Sequence, residues 1–225
     1  MQQLAPDLFT AEAPLRFGGL EVGCRMTVAR LPDESLWVHS PIPLDDALCR
    51  EVEALGPVRA LLAPNRLHHL YVGDWQAAFP DATLHVAPGL ETKRPDLKIT
   101  AVLGDVAPAE WGDALDQVFF AGYPFANEVV FFHAPSATLI ATDIAFYVRD
   151  RHPWLTRWAF RLLGSFDQLA PSLIERVMIR DRLAFRRSLD RVLAWPFERV
   201  VVSHGDVLES GGREALRSGY AWLPA

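Results

Sequence analysis

Four side chains able to hold a metal ion stand where apolar runs end. His68 and His69 follow the run Val58 to Ala63 across Pro64-Asn65-Arg66-Leu67. Asp143 closes Thr138-Leu139-Ile140-Ala141-Thr142, and His204 follows Arg199-Val200-Val201-Val202-Ser203, just ahead of Gly205. In α/β proteins the ends of strands feed the loops that carry ligands and chemistry. Imidazole nitrogens with one carboxylate oxygen make a borderline-hard donor set suited to zinc, iron or manganese. Adjacent histidines diverge on any regular backbone, so His68 and His69 can share an ion only across an irregular turn, which Pro64-Asn65 offers. The other histidines have plainer readings. His39 and His85 lie within alternating strands, His152 begins an arginine-rich helix, and His133 reads as a buried structural side chain or a partner that orients a ligand.

The elements that must position these residues can be read from hydrophobic period. Residues 1–22 are broken by Pro and Gly, with Leu8-Phe9 and Leu15-Arg16-Phe17 as apolar anchors on the surface. Met26 to Leu31 and Leu36 to Ser40 alternate around the turn Pro32-Asp33-Glu34-Ser35 and form a hairpin. A helix from Leu44 to Leu55 follows, with Gly56 at its left-handed cap. The strand Val58 to Ala63, an amphipathic helix Leu70 to Phe79 and a strand Thr83 to Ala87 then build a parallel sheet. Three short apolar runs, 118–121, 129–132 and 138–142, are too close together for crossovers and are expected as antiparallel neighbours. Residues 153–195 change character: Trp154, Trp158 and Leu162 recur at helical spacing with arginines between them. Further helices are expected over 172–179 and 182–194, then the strand 199–203 and a short terminal helix from Arg213. Two α/β halves of this kind imply an α/β sandwich, with two sheets face to face, helices outside, and one domain over 1–225 with a helical insertion at 153–195.

Composition sets bounds on function. The chain has 225 residues, half of them hydrophobic, and a formal charge of −6. That charge argues against nucleic acid as a partner, because phosphate contacts need a basic face. Residues 149–199 hold 11 Arg and 6 Asp/Glu, a net of +5, and the other residues carry 11 basic and 22 acidic groups, a net of −11. No apolar run reaches the roughly 20 residues that cross a bilayer, so no membrane partner is expected. The start Met1 to Asp7 has no export signal, which implies a cytoplasmic protein whose two cysteines, Cys24 and Cys49, stay unpaired. If Trp154, Trp158, Phe160, Leu162 and Leu163 cannot all face the core, a homodimer through 153–195 is the expected cover.

The order of these elements resembles the metallo-β-lactamase superfamily from about Met26 to Leu208. The residues that carry the resemblance are the histidine loop, a later strand ending Thr142-Asp143 and a last strand ending Ser203-His204-Gly205. More closely, Leu36-Trp37-Val38-His39-Ser40-Pro41, Ala63-Pro64-Asn65, Asn127-Glu128-Val129-Val130-Phe131-Phe132-His133 and Thr138 to Asp143 look like a branch known as a domain of unknown function. The superfamily's usual loop is His-x-His-x-Asp-His and feeds two metals. Here Pro64 and Arg66 fall on its first two histidines and His68 on its aspartate. Gly122-Tyr123-Pro124-Phe125 falls where a further histidine belongs. The ligands unique to the first metal are thus missing. The resemblance implies one divalent metal at the second site, zinc first with iron or manganese as alternatives, held by His68, His69, Asp143 and His204.

That site implies a metal-dependent hydrolase acting on a small-molecule ester, thioester, amide or phosphoester. Glu128 lies near the missing histidine in the resemblance. It is a candidate to reach the metal or to act as general base within about 5 Å of it, with Asp206 in reserve; a structural carboxylate paired with a helix or an arginine is the equal alternative. Two other classes stay open: a catalytically inactive binding or scaffold protein, and an iron-dependent oxidoreductase. Arg66 beside the site either meets an anionic substrate group or pairs with a carboxylate.

Overall fold

A computed structural model describes residues 1–224. Among these, thirteen strands and seven α-helices occur in the order β1 (Gln2–Ala5), β2 (Leu8–Ala13), β3 (Arg16–Phe17), β4 (Leu20–Glu21), β5 (Cys24–Arg30), β6 (Leu36–His39), α1 (Asp46–Glu53), β7 (Val58–Ala63), α2 (Val72–Ala78), β8 (Thr83–Val86), α3 (Leu90–Lys93), β9 (Ala101–Val102), β10 (Leu115–Phe119), β11 (Val129–His133), β12 (Thr138–Ala141), α4 (Trp154–Leu163), α5 (Leu173–Met178), α6 (Arg182–Ala194), β13 (Arg199–Val202) and α7 (Gly212–Gly219). Seven strands form one sheet in the order β1-β2-β5-β6-β7-β8-β9, and four form a second in the order β10-β11-β12-β13. β3 and β4 make a small separate hairpin.

Alternation along the strands produces the layers. In β7, Ala60 and Leu62 face a cluster that joins both sheets, with Trp37, Trp111, Phe131 and Ile140, while Leu61 and Ala63 face Val52 of α1 and Val72 and Trp75 of α2. In β11, Val129 and Phe131 point into the same inter-sheet cluster, while Val130 and Phe132 pack with Phe185 and Leu189 of α6 and Leu216 of α7. A period of two places successive side chains on opposite faces, so each strand serves two apolar layers at once. The result is the expected sandwich of two sheets with helices outside.

The pairings follow the connections. β6, β7 and β8 run parallel across the crossovers α1 and α2. β10, β11 and β12 are antiparallel neighbours joined by short links. β13 returns parallel to β12 after the long helical excursion α4 to α6. The hairpin β5–β6 pairs Val28 with Val38 as the alternation implied.

Two local expectations are corrected. Leu8-Phe9 is no surface anchor: it opens β2, which pairs along its whole length with β5, and Leu8 is buried. Gly56 does not cap α1, which ends at Ala54 in right-handed backbone. Its φ of 150° instead lets the chain pass the Glu34 carbonyl, where a Cβ would lie only 2.5 Å from that oxygen. Cys24 and Cys49 are both free thiols. Among the described residues no helix is long and apolar enough to cross a membrane.

Candidate metal centre

Three strand ends meet at one corner of the sandwich. His68 arrives in the loop after β7, Asp143 two residues past β12, and His204 two residues past β13. β12 and β13 are adjacent and parallel, so Asp143 and His204 leave the second sheet side by side. The β7 loop reaches them from the first sheet because its backbone is tied to the start of β11: Val129 N–H donates to the Pro64 carbonyl at 2.9 Å, and Arg66 N–H to the Ala126 carbonyl at 2.8 Å. One ligand atom from each of His68, Asp143 and His204 lies within 4.8 Å of the others.

The geometry suits a cation. The two Nε2 atoms are 3.2 Å apart, His68 Nε2 is 3.4 Å from Asp143 Oδ2, and His204 Nε2 is 3.5 Å from Asp143 Oδ1. Ligand bonds of about 2.0–2.2 Å in tetrahedral array separate donor atoms by roughly 3.3–3.6 Å, so the spacing is close to that around one ion, with each imidazole facing a different oxygen of the Asp143 carboxylate. The outer nitrogens are engaged. His204 Nδ1 donates to the Gly23 carbonyl at 2.6 Å, since a carbonyl only accepts, which leaves the Nε2 lone pair facing inward. His68 Nδ1 meets the Ser40 hydroxyl at 2.7 Å. Such outer contacts orient metal-binding imidazoles.

Electrostatics agree. Without a cation, two inward lone pairs 3.2 Å apart would repel, so one proton must sit between the rings. Burial works against charge on His68, but the adjacent Asp143 carboxylate outweighs it and lifts the imidazole above its ordinary range. Burial, with the charge on His68, pushes His204 down to about 4. Burial alone would raise Asp143, yet His68 and then His204 hold it below the usual carboxylate range. The corner is built for one positive charge on its inner side.

Asn65 links two of the three residues and escaped the sequence reading, which assigned it only a turn. It is fully buried. Its Oδ1 accepts from the backbone of Leu67 and His68 at 2.8 and 2.7 Å, fixing the loop that presents His68. Its Nδ2 donates to Asp143 Oδ2 at 2.6 Å and to Thr142 Oγ1 at 2.8 Å. Ser40, in left-handed backbone at φ 53°, and Gly23 were missed as well. The signal for Asn65 was available, since an Asn two or three residues ahead of a bend closes such turns with its side chain. Ser40 and Gly23 left none, because each meets its histidine only through the tertiary fold.

Three expectations are corrected by position. His69 does not join the group. The short turn from Leu67 sends its ring the other way, where Nδ1 accepts from Arg94 Nη1 at 3.0 Å. Burial and the charges of Lys93 and Arg94 push it down to about 4. Glu128 does not open into a cleft as a base. It is fully buried, and its carboxylate accepts from three successive backbone amides: Thr142 at 2.7 Å, Asp143 at 2.8 Å and Ile144 at 3.1 Å. Burial and then the nearby Asp143 charge raise its pKa. Asp206 pairs with Arg151, whose other nitrogens reach Glu12, and lies 3.7 Å from His152 Nε2. Arg25 completes that network, pairing with Glu12 and donating to the Val202 and Gly205 carbonyls on either side of His204. Arg66 donates to the Pro124 carbonyl at 3.1 Å and pins two loops. His133 bonds Ser136 at 2.7 Å.

Glu128 is therefore a positioning residue: it fixes the backbone that presents Asp143. A glutamine has the shape but only one oxygen, so its NH₂ would face backbone donors. Glu128→Gln is expected to destabilise the fold by about 1–3 kcal/mol, because a buried donor is left unpaired, and to weaken metal binding with it. Chemical denaturation checks the first part. A variant as stable as the parent would show that the carboxylate does not hold the loop.

A family profile described as "Domain of unknown function (DUF4336)" matches residues 7–163. No curated protein matches the sequence. Among solved structures, a metallo-β-lactamase from Pontibacter korlensis superposes with a TM-score of 0.67 at 12% identity, over 99% of this chain and 97% of that one. One from Hirschia baltica gives a TM-score of 0.65 at 11% identity, over 99% and 97%. A metallo-β-lactamase family protein from Thermus thermophilus gives 0.62 at 12% identity, over 98% and 80%. At such identity the likeness establishes the fold.

Proposed function

We propose that this chain, which belongs to the DUF4336 family, is a metal-dependent hydrolase with one divalent ion, zinc first, held by His68, Asp143 and His204. The observation that carries the reading is the convergence of two Nε2 atoms and the Asp143 carboxylate, each within 3.5 Å of the next. Three protein ligands leave a four-coordinate metal one position for a small molecule, as in catalytic rather than structural zinc sites. A divalent cation in such a place supplies Lewis acidity toward a carbonyl or phosphoryl oxygen and toward water.

The chain's own groups prepare the corner. Ser40 and Gly23 hold the imidazoles, Asn65 holds the carboxylate, and Glu128 holds the backbone beneath it. The Phe146 ring stacks on His204 with centroids 5.9 Å apart, which covers one face of that ligand. The substrate class is an ester, thioester, amide or phosphoester. β-Lactam hydrolysis, the activity implied by the names of the similar structures, is not the one proposed. Pro64 and Arg66 stand where the resemblance expects ligands of a first metal.

The test is metal analysis of protein purified without added metal, followed by hydrolysis assays on chromogenic esters, thioesters, anilides and phosphodiesters. About one equivalent of metal, with a turnover that a chelator abolishes and zinc restores, is the expected result. Protein that takes up no metal would turn the reading toward a binding or scaffold role. Iron with redox activity and no hydrolysis would turn it toward an oxidoreductase.

A further inference from the structure

Arg66 carries a charge that nothing else in the fold answers. It stands two residues ahead of His68, in the loop that Asn65 closes. Each polar end of the residue is tied. Its N–H donates to the Ala126 carbonyl at 2.8 Å, its carbonyl accepts from Lys93 Nζ at 2.7 Å, and Nη1 donates to the Pro124 carbonyl at 3.1 Å. The side chain lies along Gly89, where a Cβ would stand 3.6 Å from both its Cδ and its Nε. Nε itself is buried without a partner. The half-buried guanidinium is thus held in place and partly stripped of water. Yet among the described residues it pairs with no carboxylate, and neither does Lys93. The other cations around the corner are already paired. Arg94 grips Asp96 through two hydrogen bonds, and Arg25 and Arg151 share Glu12, with Asp206 also against Arg151. Glu91, close to Lys93 in sequence, accepts instead from the Gly89 amide at 2.8 Å.

We propose that Arg66 receives an anionic oxygen group of the substrate, a carboxylate or a phosphoryl group, and that Lys93 adds charge behind it. This rests on the hydrolase reading of the corner and narrows it: the molecule cleaved there carries a negative charge near the scissile bond. A partly desolvated charge without a partner disfavours folding, and a bound anion removes that penalty. A divalent ion at the triad would deepen the need, because Asp143 is the only carboxylate among its three ligands. Guanidinium suits the task. Its planar fork of five donors matches the oxygens of a carboxylate or phosphoryl group, and among the described residues its side chain engages only the Pro124 carbonyl. Attachment to neighbouring loops fixes the fork before a ligand arrives, so little ordering is lost on binding. A lysine could not replace it fully, since a point charge lacks the two-pronged contact.

Two measurements test it. The first needs no turnover: inorganic phosphate and succinate are titrated into the full chain by calorimetry. At least one is expected to bind, and which of them binds tells a phosphoryl from a carboxylate ligand. Arg66→Gln should weaken that binding at least about tenfold, and Lys93→Gln by about two- to fivefold. If Arg66→Gln lowers the melting temperature, Lys93→Gln decides, because its side chain is exposed. The second measurement compares nitrophenyl hemisuccinate with nitrophenyl acetate, which share a leaving group and differ in charge. The anionic ester should be preferred at least about tenfold in kcat/KM, with the gain in KM. Arg66→Gln should remove the preference, and Arg66→Lys should keep part of it. Turnover without preference for the anionic ester, or anion binding that neither Arg66→Gln nor Lys93→Gln weakens, would overturn the proposal. So would a failure of both anions to bind. No turnover of either ester would count against the hydrolase reading instead, and the titrations would then decide the role of Arg66 alone.

Discussion

Replacing Asp143 with Asn or His204 with Ala is expected to lower metal affinity by more than about 100-fold, the scale on which even outer contacts of ligands act. His204→Ala removes one of the three donors, and Asp143→Asn removes the only negative charge that faces the two imidazoles. Ser40→Ala removes only the hydroxyl at His68 Nδ1 and should cost about tenfold. His69→Ala should leave metal content unchanged, because its ring meets Arg94 and not the triad. Competition against a chromophoric chelator measures all four. If His69→Ala lost the metal and Asp143→Asn kept it, the assignment of ligands would be wrong. This set separates position in the sequence from position in space, since His69 adjoins His68 yet its loss is expected to leave the metal in place.

Gly205→Ala is expected to destabilise the protein by about 3 kcal/mol or more, the sum of backbone strain and overpacking. Gly205 has a φ of 115°, and a Cβ there would lie 2.3 Å from the Tyr147 carbonyl oxygen and 2.5 Å from its carbon. Those are backbone atoms and cannot rotate away. The same residue carries the carbonyl that accepts from Arg25 and follows His204 directly, so relief of the clash would move His204. Gly211→Ala is the control. Its φ is also positive, at 69°, but nothing lies within 4 Å of a Cβ there, so the cost should be only about 1 kcal/mol. Urea unfolding distinguishes the two. Equal losses would mean that the close approach to Tyr147 is not the cause.

Much of the framework was legible because it rests on periodicity. Val58 to Ala63 alternates between two apolar layers, and the structure places Leu61 and Leu62 on opposite faces of the sheet accordingly. The three runs between 118 and 142 had links too short for crossovers, so antiparallel pairing was forced. Arg182 to Ala194 declared itself by helical spacing, with Asp181 capping its first turn. β2 was not legible. Leu8-Phe9-Thr10-Ala11-Glu12-Ala13 mixes small, polar and large residues on both faces. Its pairing with β5 is a long-range choice that no local pattern announces.

The sequence by itself determined that chemistry-bearing side chains would sit at the ends of three strands, because apolar runs must be buried and their ends must reach solvent. It thereby marked Asp143 and His204, whose strands run parallel and end side by side, and it marked both His68 and His69 as their companions. Only the tertiary structure places His68, and not His69, beside them. A ring's direction depends on the turn that Asn65 closes, and that turn is held by Thr142 and Asp143, 77 and 78 residues away. Only the fold, likewise, decided that Glu128 is a structural acceptor. A carboxylate is a base where water reaches it and a backbone clamp where three amides do, and which of these surrounds it is a property of packing rather than of the residue.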